Sequence, residues 1–256
     1  MLDIHCHILP RVDDGSKSLR QSEKMLSIAA KAGVKEIVVT PHLHKAQPEH
    51  LFKIRRSFTL LNMRAKSHGI ELSMGYETML DNIKKLDYEK YCFQWSKPIK
   101  QLLLEFKPRF YPKDADAFIY SCVARGITPI IAHPERYAFV QEDISMISYL
   151  KGYGCLIQVD ATALEQPFYS KECKVANALI SAGLVDSVSS DAHNTNHYKQ
   201  YAKAIAKLNA YWRPDNFDIP NQTQVQQFCS ACSLVATCYI SFYLHTKLTK
   251  FIENLF

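Results

Sequence analysis

The sequence predicts an α/β barrel in which parallel strands alternate with helices. Three observations predict it: short apolar runs recur along the chain, helical patterns separate them, and His, Asp or Glu residues follow most of the runs. Parallel strands that are covered on both faces consist of such near-continuous apolar runs. Barrels of this class carry their sites at the carboxyl ends of the strands. The 256 residues fit one domain, 1–256, without a linker or an internal repeat.

Seven apolar runs are strand candidates. They lie near residues 1–5, 36–40, 70–75, 102–106, 127–132, 155–160 and 184–190. Helical spacing of apolar residues fills the intervals at 16–32, 49–67, 114–125, 144–150 and 173–182, and each stretch ends shortly before a glycine. Parallel strands need crossover connections of this kind, so the alternation favours a barrel over an antiparallel fold.

His5 and His7 lie two residues apart in the first strand. Alternate residues of a strand share a face, so both can bind one ion while Cys6 points the other way. On its own such a pair is a weak signal. Further clusters at the ends of later runs strengthen it, namely His42 with His44, Glu77, Glu105, His133-Pro134-Glu135-Arg136 and Asp191-Ala192-His193. Together they predict a metal site at one end of the barrel.

The charge and the cysteine content narrow the function classes. A net charge of +6, spread along the chain, suits a solvated surface or an anionic substrate, and no basic stripe with interleaved aromatics indicates nucleic-acid binding. The chain starts without an export signal, so its eight scattered cysteines are predicted to be small buried thiols of a cytoplasmic protein. Cys229 and Cys232 are predicted to pack in a helix, because no second pair or nearby His completes a zinc site.

The C-terminal segment 213–256 is predicted to be helical. Its run from Phe228 to Leu244 is uncharged, and a basic, partly apolar end follows. A membrane span needs about 20 predominantly apolar residues, and this run contains several hydroxyl side chains. A closing barrel helix is therefore the leading interpretation, and the alternatives are docking on a membrane surface and a true span.

Several motifs occur in a fixed order between residue 1 and about residue 210. They are residues 3–10, Asp13-Asp14-Gly15, Thr40-Pro41-His42, Gly75-x-Glu77, Leu104-Glu105-Phe106, Thr128-Pro129, His133-Pro134-Glu135-Arg136 and Ser190-Asp191-Ala192-His193-Asn194. Together they resemble the PHP (polymerase and histidinol phosphatase) superfamily. More narrowly, they resemble its bacterial manganese-dependent protein-tyrosine phosphatases of capsule and exopolysaccharide systems.

This resemblance implies a distorted TIM-like (β/α)7 barrel that holds up to three divalent ions at its mouth. By position, the implied ligands are His5, His7, His42, Glu77, Glu105, His133, Asp191 and His193, with Asp14 as a further candidate. Oxygen and imidazole ligands without a thiolate suit Mn²⁺, with Fe²⁺, Mg²⁺ and Zn²⁺ as alternatives. The implied chemistry is attack on phosphorus by a metal-bound hydroxide, with His42, His193 and Arg136 as catalytic residues.

The sequence excludes the cysteine-dependent route to phosphotyrosine hydrolysis. That route needs an Arg six residues after a nucleophilic Cys. Backbone amides and the Arg hold the phosphate beside the thiolate. None of the eight cysteines has an Arg at that offset, and Val12 occupies it after Cys6.

Arg136 is the predicted phosphate-binding residue, because a guanidinium group matches two phosphate oxygens and the motif places it beside His133. The alternative is a surface Arg that pairs with an acid such as Glu142. Arg11 is a second candidate at the rim of the site. The family commonly has another Arg shortly after the last motif, where this chain has Lys199. The remaining histidines are predicted to be surface or packing residues, namely His44, His50, His68, His197 and His245.

Three classes of function follow. The leading hypothesis is hydrolysis of phosphotyrosine in the tyrosine-rich tail of a bacterial tyrosine kinase, at the inner face of the membrane. The second is another metal-dependent hydrolase, either a small-molecule phosphatase of the histidinol-phosphate type or an amidohydrolase. Many amidohydrolases have a bridging Lys where Glu105 stands here, which favours phosphoester hydrolysis. The third is a regulator that only binds the phosphorylated tail, and the full set of ligands argues against it.

Overall fold

The computed structural model describes residues 1–43, 46–94 and 99–211. Within these ranges, eight strands form two sheets in which all neighbouring strands are parallel. The first sheet contains β1 (Leu2–Cys6), β2 (Glu36–Val39) and β3 (Glu71–Met74), in that order. The second contains, also in order, β4 (Glu77–Met79), β5 (Lys100–Glu105), β6 (Ile127–Ala132), β7 (Leu156–Asp160) and β8 (Ser187–Ser189).

Backbone hydrogen bonds at the two gaps join these sheets into one ring. At the first gap, Leu43 N, just after β2, donates to Glu77 O at 2.9 Å. At the second gap, Asp191 N, just after β8, donates to His5 O in β1 at 2.8 Å. The α/β barrel predicted from the sequence is therefore confirmed.

All seven predicted strands are present, and the third is followed at once by an additional short strand. Gly75 lies at the break between β3 and β4, and its N–H donates to Val39 O at 2.9 Å. A Cβ atom at this position would lie 2.9 Å from the side chains of Phe93 and Val38. Since only glycine avoids that clash, Gly75 lets the chain leave one sheet and enter the other immediately before Glu77.

Nine helices in the described ranges connect the strands. Their bounds are α1 (Leu19–Lys31), α2 (Pro48–Ala65), α3 (Leu80–Ile83), α4 (Ala115–Ala124), α5 (Ala138–Glu142), α6 (Ser145–Gly152), α7 (Ala161–Leu164), α8 (Lys171–Ser181) and α9 (Thr195–Tyr211). Single 3-10 turns occur at Lys66–His68, Tyr88–Tyr91 and Pro134–Arg136. The five predicted helices are confirmed as α1, α2, α4, α6 and α8. Sequence periodicity missed the short helices α3, α5 and α7 and also the long helix α9.

Local sequence explains where the predicted helices begin and end. Ser18 precedes α1, and its side chain accepts a hydrogen bond from Gln21 N at 3.2 Å. Ser170 caps α8 in the same way through Cys173 N at 3.1 Å. Serine is favoured at this position because it satisfies a backbone donor that the first helical turn leaves unpaired. Gly33 follows α1 with φ +89°, a conformation that favours glycine.

Two apolar layers support the barrel. The outer layer fills the space between strands and helices, where Tyr198, Tyr201 and Ala204 of α9 are buried. The inner layer is smaller and contains Ile4, Val38, Phe93, Leu103, Ile130 and Ala132. The polar residues at the carboxyl ends of the strands thus stand on a packed apolar base, as in other barrels of this class.

Some predictions concern residues outside the described ranges. They are the helical character of 213–256, the role of 228–244 in closing the barrel or docking on a membrane, the packing of Cys229 and Cys232, and the placement of His44 and His245. The assignment of 1–256 to one domain also stays a prediction. Among the residues that the structure describes, no helix has the length and apolar character that a membrane crossing requires.

Candidate metal centre

All nine predicted ligands come together at the carboxyl ends of the strands. Their ligand atoms form four overlapping groups, and within each group these atoms lie within 4.8 Å of one another. The groups are His7, Asp14, His42 and His193; His5, Glu77 and His133; His5, His7 and Asp191; and His42, Glu77 and Glu105. The residues come from β1, β4 and β5 and from the segments that follow β1, β2, β6 and β8. Distant parts of the chain thus build one compact cluster.

Glu77 is the centre of this cluster. Its Oε2 atom lies 3.0 Å from His42 Nδ1, 3.1 Å from His7 Nε2 and 3.4 Å from His5 Nε2. Its Oε1 atom lies 2.8 Å from His133 Nε2. One buried carboxylate therefore faces four imidazole rings.

Asp191 closes the cluster on the β8 side. Its Oδ1 atom lies 3.3 Å from both His5 Nε2 and His7 Nε2, is buried, and has no hydrogen-bond partner. Its backbone has φ +41°, in the left-handed region that side chains rarely occupy. His133 is in the same region with φ +33°. We interpret the left-handed backbone at Asp191 and His133 as the conformation that directs each of these side chains towards the cluster.

The imidazoles of His5 and His7 are oriented by hydrogen bonds on the side away from the cluster. His5 Nδ1 donates to Gln158 Oε1, and His7 Nδ1 donates to Asp13 Oδ2, both at 2.8 Å. When such a ring is neutral, the proton on Nδ1 leaves the lone pair of Nε2 directed at the cluster, which is how proteins prepare histidine as a ligand. Cys6 points the other way into the outer apolar layer, as predicted.

The charges of the cluster are strongly coupled. Burial disfavours the imidazolium form of His5, but Glu77 and Asp191 outweigh this effect and raise its pKa to about 9. Burial also opposes ionisation of Glu77 and Asp191, yet the neighbouring His5 keeps both pKa values well below the usual range. Glu77 and Asp191 therefore stay ionised beside positive charge that the neighbouring imidazoles carry.

These observations fit bound divalent cations. The Nε2 atoms of His5 and His7 lie 3.3 Å apart, and the unpartnered Asp191 Oδ1 lies against both. Converging imidazole nitrogens and carboxylate oxygens are ligands for Mn²⁺, Fe²⁺, Mg²⁺ or Zn²⁺ rather than for soft metals. The outer hydrogen bonds from Asp13 and Gln158 are those expected of ligating histidines.

Within the described residues, the cluster has a buried side and a side that is open to solvent. The side chains of His5, His7, Glu77 and Asp191 are at most 2% exposed. His42, Glu105 and His193 are about one-fifth exposed, and Asp14 is 66% exposed. A substrate therefore reaches the cluster across this second group.

Arg136 lies beside the cluster and is 40% exposed. Its Nη2 atom pairs with Asp160 Oδ2 and, at 2.6 Å, with Asp191 Oδ2. Arg136 thus lies near the site, as predicted. Its guanidinium pairs with Asp160 and Asp191 and not with Glu142, which was the alternative. Burial disfavours its charge, but Asp191 and Asp160 raise its pKa further, so Arg136 is a permanent cation.

Sequence reasoning missed the acids around Arg136. Asp160 ends β7 and also accepts a hydrogen bond from Thr162 N at 2.7 Å. Glu135 is buried, and its Oε1 atom accepts from Asp160 N at 3.1 Å. Burial, with the neighbouring Asp160, raises the pKa of Glu135 to about 8. The available signal for Asp160 was its position at the end of an apolar run, where most of the predicted ligands also stand.

The remaining predicted residues lie at or near the edge of the site. Arg11 is exposed, has φ +59°, and donates from Nε to Lys17 O at 3.2 Å. Lys199 is exposed on α9. His197 is closer to the site than predicted, since its Nδ1 atom lies 3.4 Å from Asp191 O and its ring contacts His193.

The described cysteines are unsuited to nucleophilic chemistry. Cys6, Cys122 and Cys155 are buried. Burial raises the pKa of Cys122 to about 12 and that of half-buried Cys92 to about 11, and raises the pKa of Cys6 and Cys155 further. These thiols stay protonated near neutral pH.

A barrel of parallel strands with an imidazole and carboxylate cluster at its mouth defines a protein with a candidate catalytic metal centre. Residues 1–210 match the family described as "Capsular polysaccharide synthesis, CpsB/CapC". The chain therefore belongs to the CpsB/CapC family.

Named relatives are similar over most of their length. The tyrosine-protein phosphatase YwqE of Bacillus subtilis is 32% identical over 76% of this chain and 78% of its own. The tyrosine-protein phosphatase CpsB of Streptococcus pneumoniae is 30% identical over 78% of this chain and 86% of its own. A crystal structure from work on YwqE and CpsB, described as unique metal-dependent tyrosine phosphatases, superimposes with a TM-score of 0.71 at 28% identity. It covers 86% of this chain and 90% of that chain.

Proposed function

We propose that this protein is a metal-dependent phosphatase that hydrolyses phosphotyrosine in proteins. The observation that carries the proposal is the cluster itself, in which nine side chains of ligand type converge around Glu77. Membership of the CpsB/CapC family and the names of its relatives support phosphotyrosine as the substrate. The raised pKa values of Cys6, Cys122 and Cys155 argue against a nucleophilic role for these thiols.

The proposed ligands are His5, His7, Asp14, His42, Glu77, Glu105, His133, Asp191 and His193, and Mn²⁺ is the proposed metal. Bound divalent ions supply a Lewis acid that activates water and offsets the charge of the phosphate. Glu77 and Asp191 hold fixed negative charge at the centre of the site. Asp13 and Gln158 keep the histidines of β1 in the orientation that binding requires.

Arg136 has the proposed role of binding substrate phosphate and stabilising charge in the transition state. Asp160 and Asp191 hold one end of its guanidinium group, and the side chain is partly exposed next to the open side of the cluster. His42 and His193 flank that open side, and the proposed role of either ring, when it is not bound to metal, is to donate a proton to the departing phenolate. Arg11 is proposed to add positive charge farther out.

The proposed physiological substrate is the tyrosine-rich tail of a bacterial tyrosine kinase that controls capsule or exopolysaccharide synthesis. The description of the family as one of capsular polysaccharide synthesis supports this assignment.

Metal analysis and activity assays of the purified protein test the proposal. We expect bound divalent metal by elemental analysis, loss of activity with EDTA, and recovery with Mn²⁺. Turnover of a phosphotyrosine peptide should exceed that of the matched phosphoserine peptide and of histidinol phosphate. Faster turnover of histidinol phosphate than of any phosphotyrosine peptide would instead establish a small-molecule phosphatase. Full activity in EDTA would exclude the metal mechanism.

A further inference from the structure

Exposed aromatic side chains occur at the end of the barrel that carries the metal centre. Phe110 lies between β5 and α4 and is 76% exposed. Phe168 and Tyr169 lie between α7 and α8 and are 83% and 68% exposed. Both segments precede a helix that runs back along the barrel, so both lie at the carboxyl ends of the strands. Exposed aromatic side chains beside a site offer apolar surface that a ligand can cover.

Both segments are connected to the part of the chain that carries Arg136. Ala138 N, two residues after Arg136, donates to Pro108 O at 2.7 Å and thus ties the first segment to the start of α5. Helix α8, which follows the second segment, packs against Pro134–Arg136. Both aromatic segments therefore adjoin the turn that carries Arg136.

The first segment is fixed at both ends. Lys107 Nζ pairs with Asp81 Oδ2 at 2.7 Å, and Tyr111 OH donates to Asp116 Oδ1 at 2.6 Å. Between these contacts, Arg109 and Phe110 extend into solvent. A segment that is held in this way loses little conformational entropy when a ligand binds to it.

The charge of this surface is positive. The acids of the two segments are engaged within the protein: Asp114 pairs with Lys84 and Glu165 with Lys207, both at 2.5 Å. Arg109 is exposed beside Phe110, and further exposed lysines occur at Lys113 and Lys171. A surface of this kind favours an anionic peptide over a neutral or cationic one.

We propose that Arg109, Phe110, Phe168 and Tyr169, here called the aromatic rim, bind the peptide residues on either side of the phosphotyrosine. The partner that this surface fits is an extended acidic segment that also carries apolar or aromatic side chains. This inference rests on the proposed function, because the phosphate must sit at the metal centre. The aromatic rim thereby selects protein substrates over small phosphoesters.

The experiment compares two substrates for the same metal-loaded enzymes. One is an acidic phosphotyrosine peptide of about ten residues, and the other is p-nitrophenyl phosphate, which is too small to reach the rim. The variants are Phe110→Ala, Phe168→Ala and Tyr169→Ala. Tyr120→Ala is the matched control, because Tyr120 is also 55% exposed but lies within α4. Fluorescence anisotropy with a non-hydrolysable phosphotyrosine-analogue peptide measures affinity independently of turnover.

We expect each rim variant to raise KM for the peptide and to weaken peptide affinity by about 2- to 12-fold, the range for loss of one aromatic contact. Kinetic constants for p-nitrophenyl phosphate and the melting temperature should stay unchanged, and Tyr120→Ala should resemble wild type throughout. Unchanged peptide KM and affinity in all three variants would overturn the aromatic rim and leave the proposed function intact. No turnover of either substrate by wild type would overturn the proposed function and the rim together.

Discussion

The metal centre has an inner and an outer half that the protein holds in different ways. His5 and Glu77 belong to strands, where the ladder hydrogen bonds fix the backbone, and both are buried. His42 and Asp14 belong to the segments that follow strands, and they face solvent. The inner half is buried against the barrel, whereas the outer half is partly exposed to solvent. We expect substitutions in the inner half to cause larger losses of bound metal and activity than substitutions in the outer half.

Glu77→Gln should have the largest effect on activity. The amide removes the negative charge that faces four imidazoles, so the cluster should lose bound metal and activity should fall by at least about a thousandfold. Elemental analysis and kcat/KM measured on the same preparation test this. Wild-type metal content in Glu77→Gln would mean that Glu77 is not a ligand.

Arg136→Ala should have the next largest effect, and it should separate phosphate binding from metal binding. Loss of a charged hydrogen bond costs on the order of 1.5 to 3 kcal/mol, or roughly ten- to more than a hundredfold in kcat/KM. Metal content should match wild type, in contrast to His42→Ala, Glu105→Ala or Asp191→Ala. Equal kcat/KM of Arg136→Ala and wild type would assign Arg136 a purely structural role.

Asp14→Asn tests the outer half. Asp14 is 66% exposed and lies 3.4 to 3.5 Å from the Nε2 atoms of His193 and His42. Because the inner ligands remain, we expect partial rather than complete loss of metal and a decrease in activity of about ten- to a hundredfold, which excess Mn²⁺ restores in part. A loss as complete as that of Glu77→Gln would show that the two halves act as one unit.

Alkylation of thiols should have the smallest effect. Cys92 is half-buried and has a pKa of about 11, and the other described cysteines are buried. Treatment with iodoacetamide at neutral pH should therefore change kcat/KM by less than about twofold. The control is a cysteine-dependent phosphatase treated in parallel, which should lose its activity. Inactivation of this protein at a rate proportional to thiol modification would contradict the metal mechanism.

The sequence determined the alternation of strands and helices and the pairing of His5 with His7. Both follow from local periodicity, since side chains alternate along a strand and apolar residues recur with the helical repeat. The family resemblance also implied nine candidate ligands, most of which stand where an apolar run ends, and the structure brings these nine residues together. The long helix α9 was missed, since its buried residues Tyr198, Tyr201 and Ala204 are spaced among many polar ones.

Only the tertiary structure decided which atoms meet. Gln158 orients His5 across a separation of 153 residues, and no local pattern marks a glutamine within a strand as the partner of a histidine. Asp160 and Asp191 meet at Arg136 for the same reason, because neighbouring strands bring their carboxyl ends to one mouth. Periodicity fixes the face on which a side chain lies, whereas the closure of the barrel fixes its neighbours.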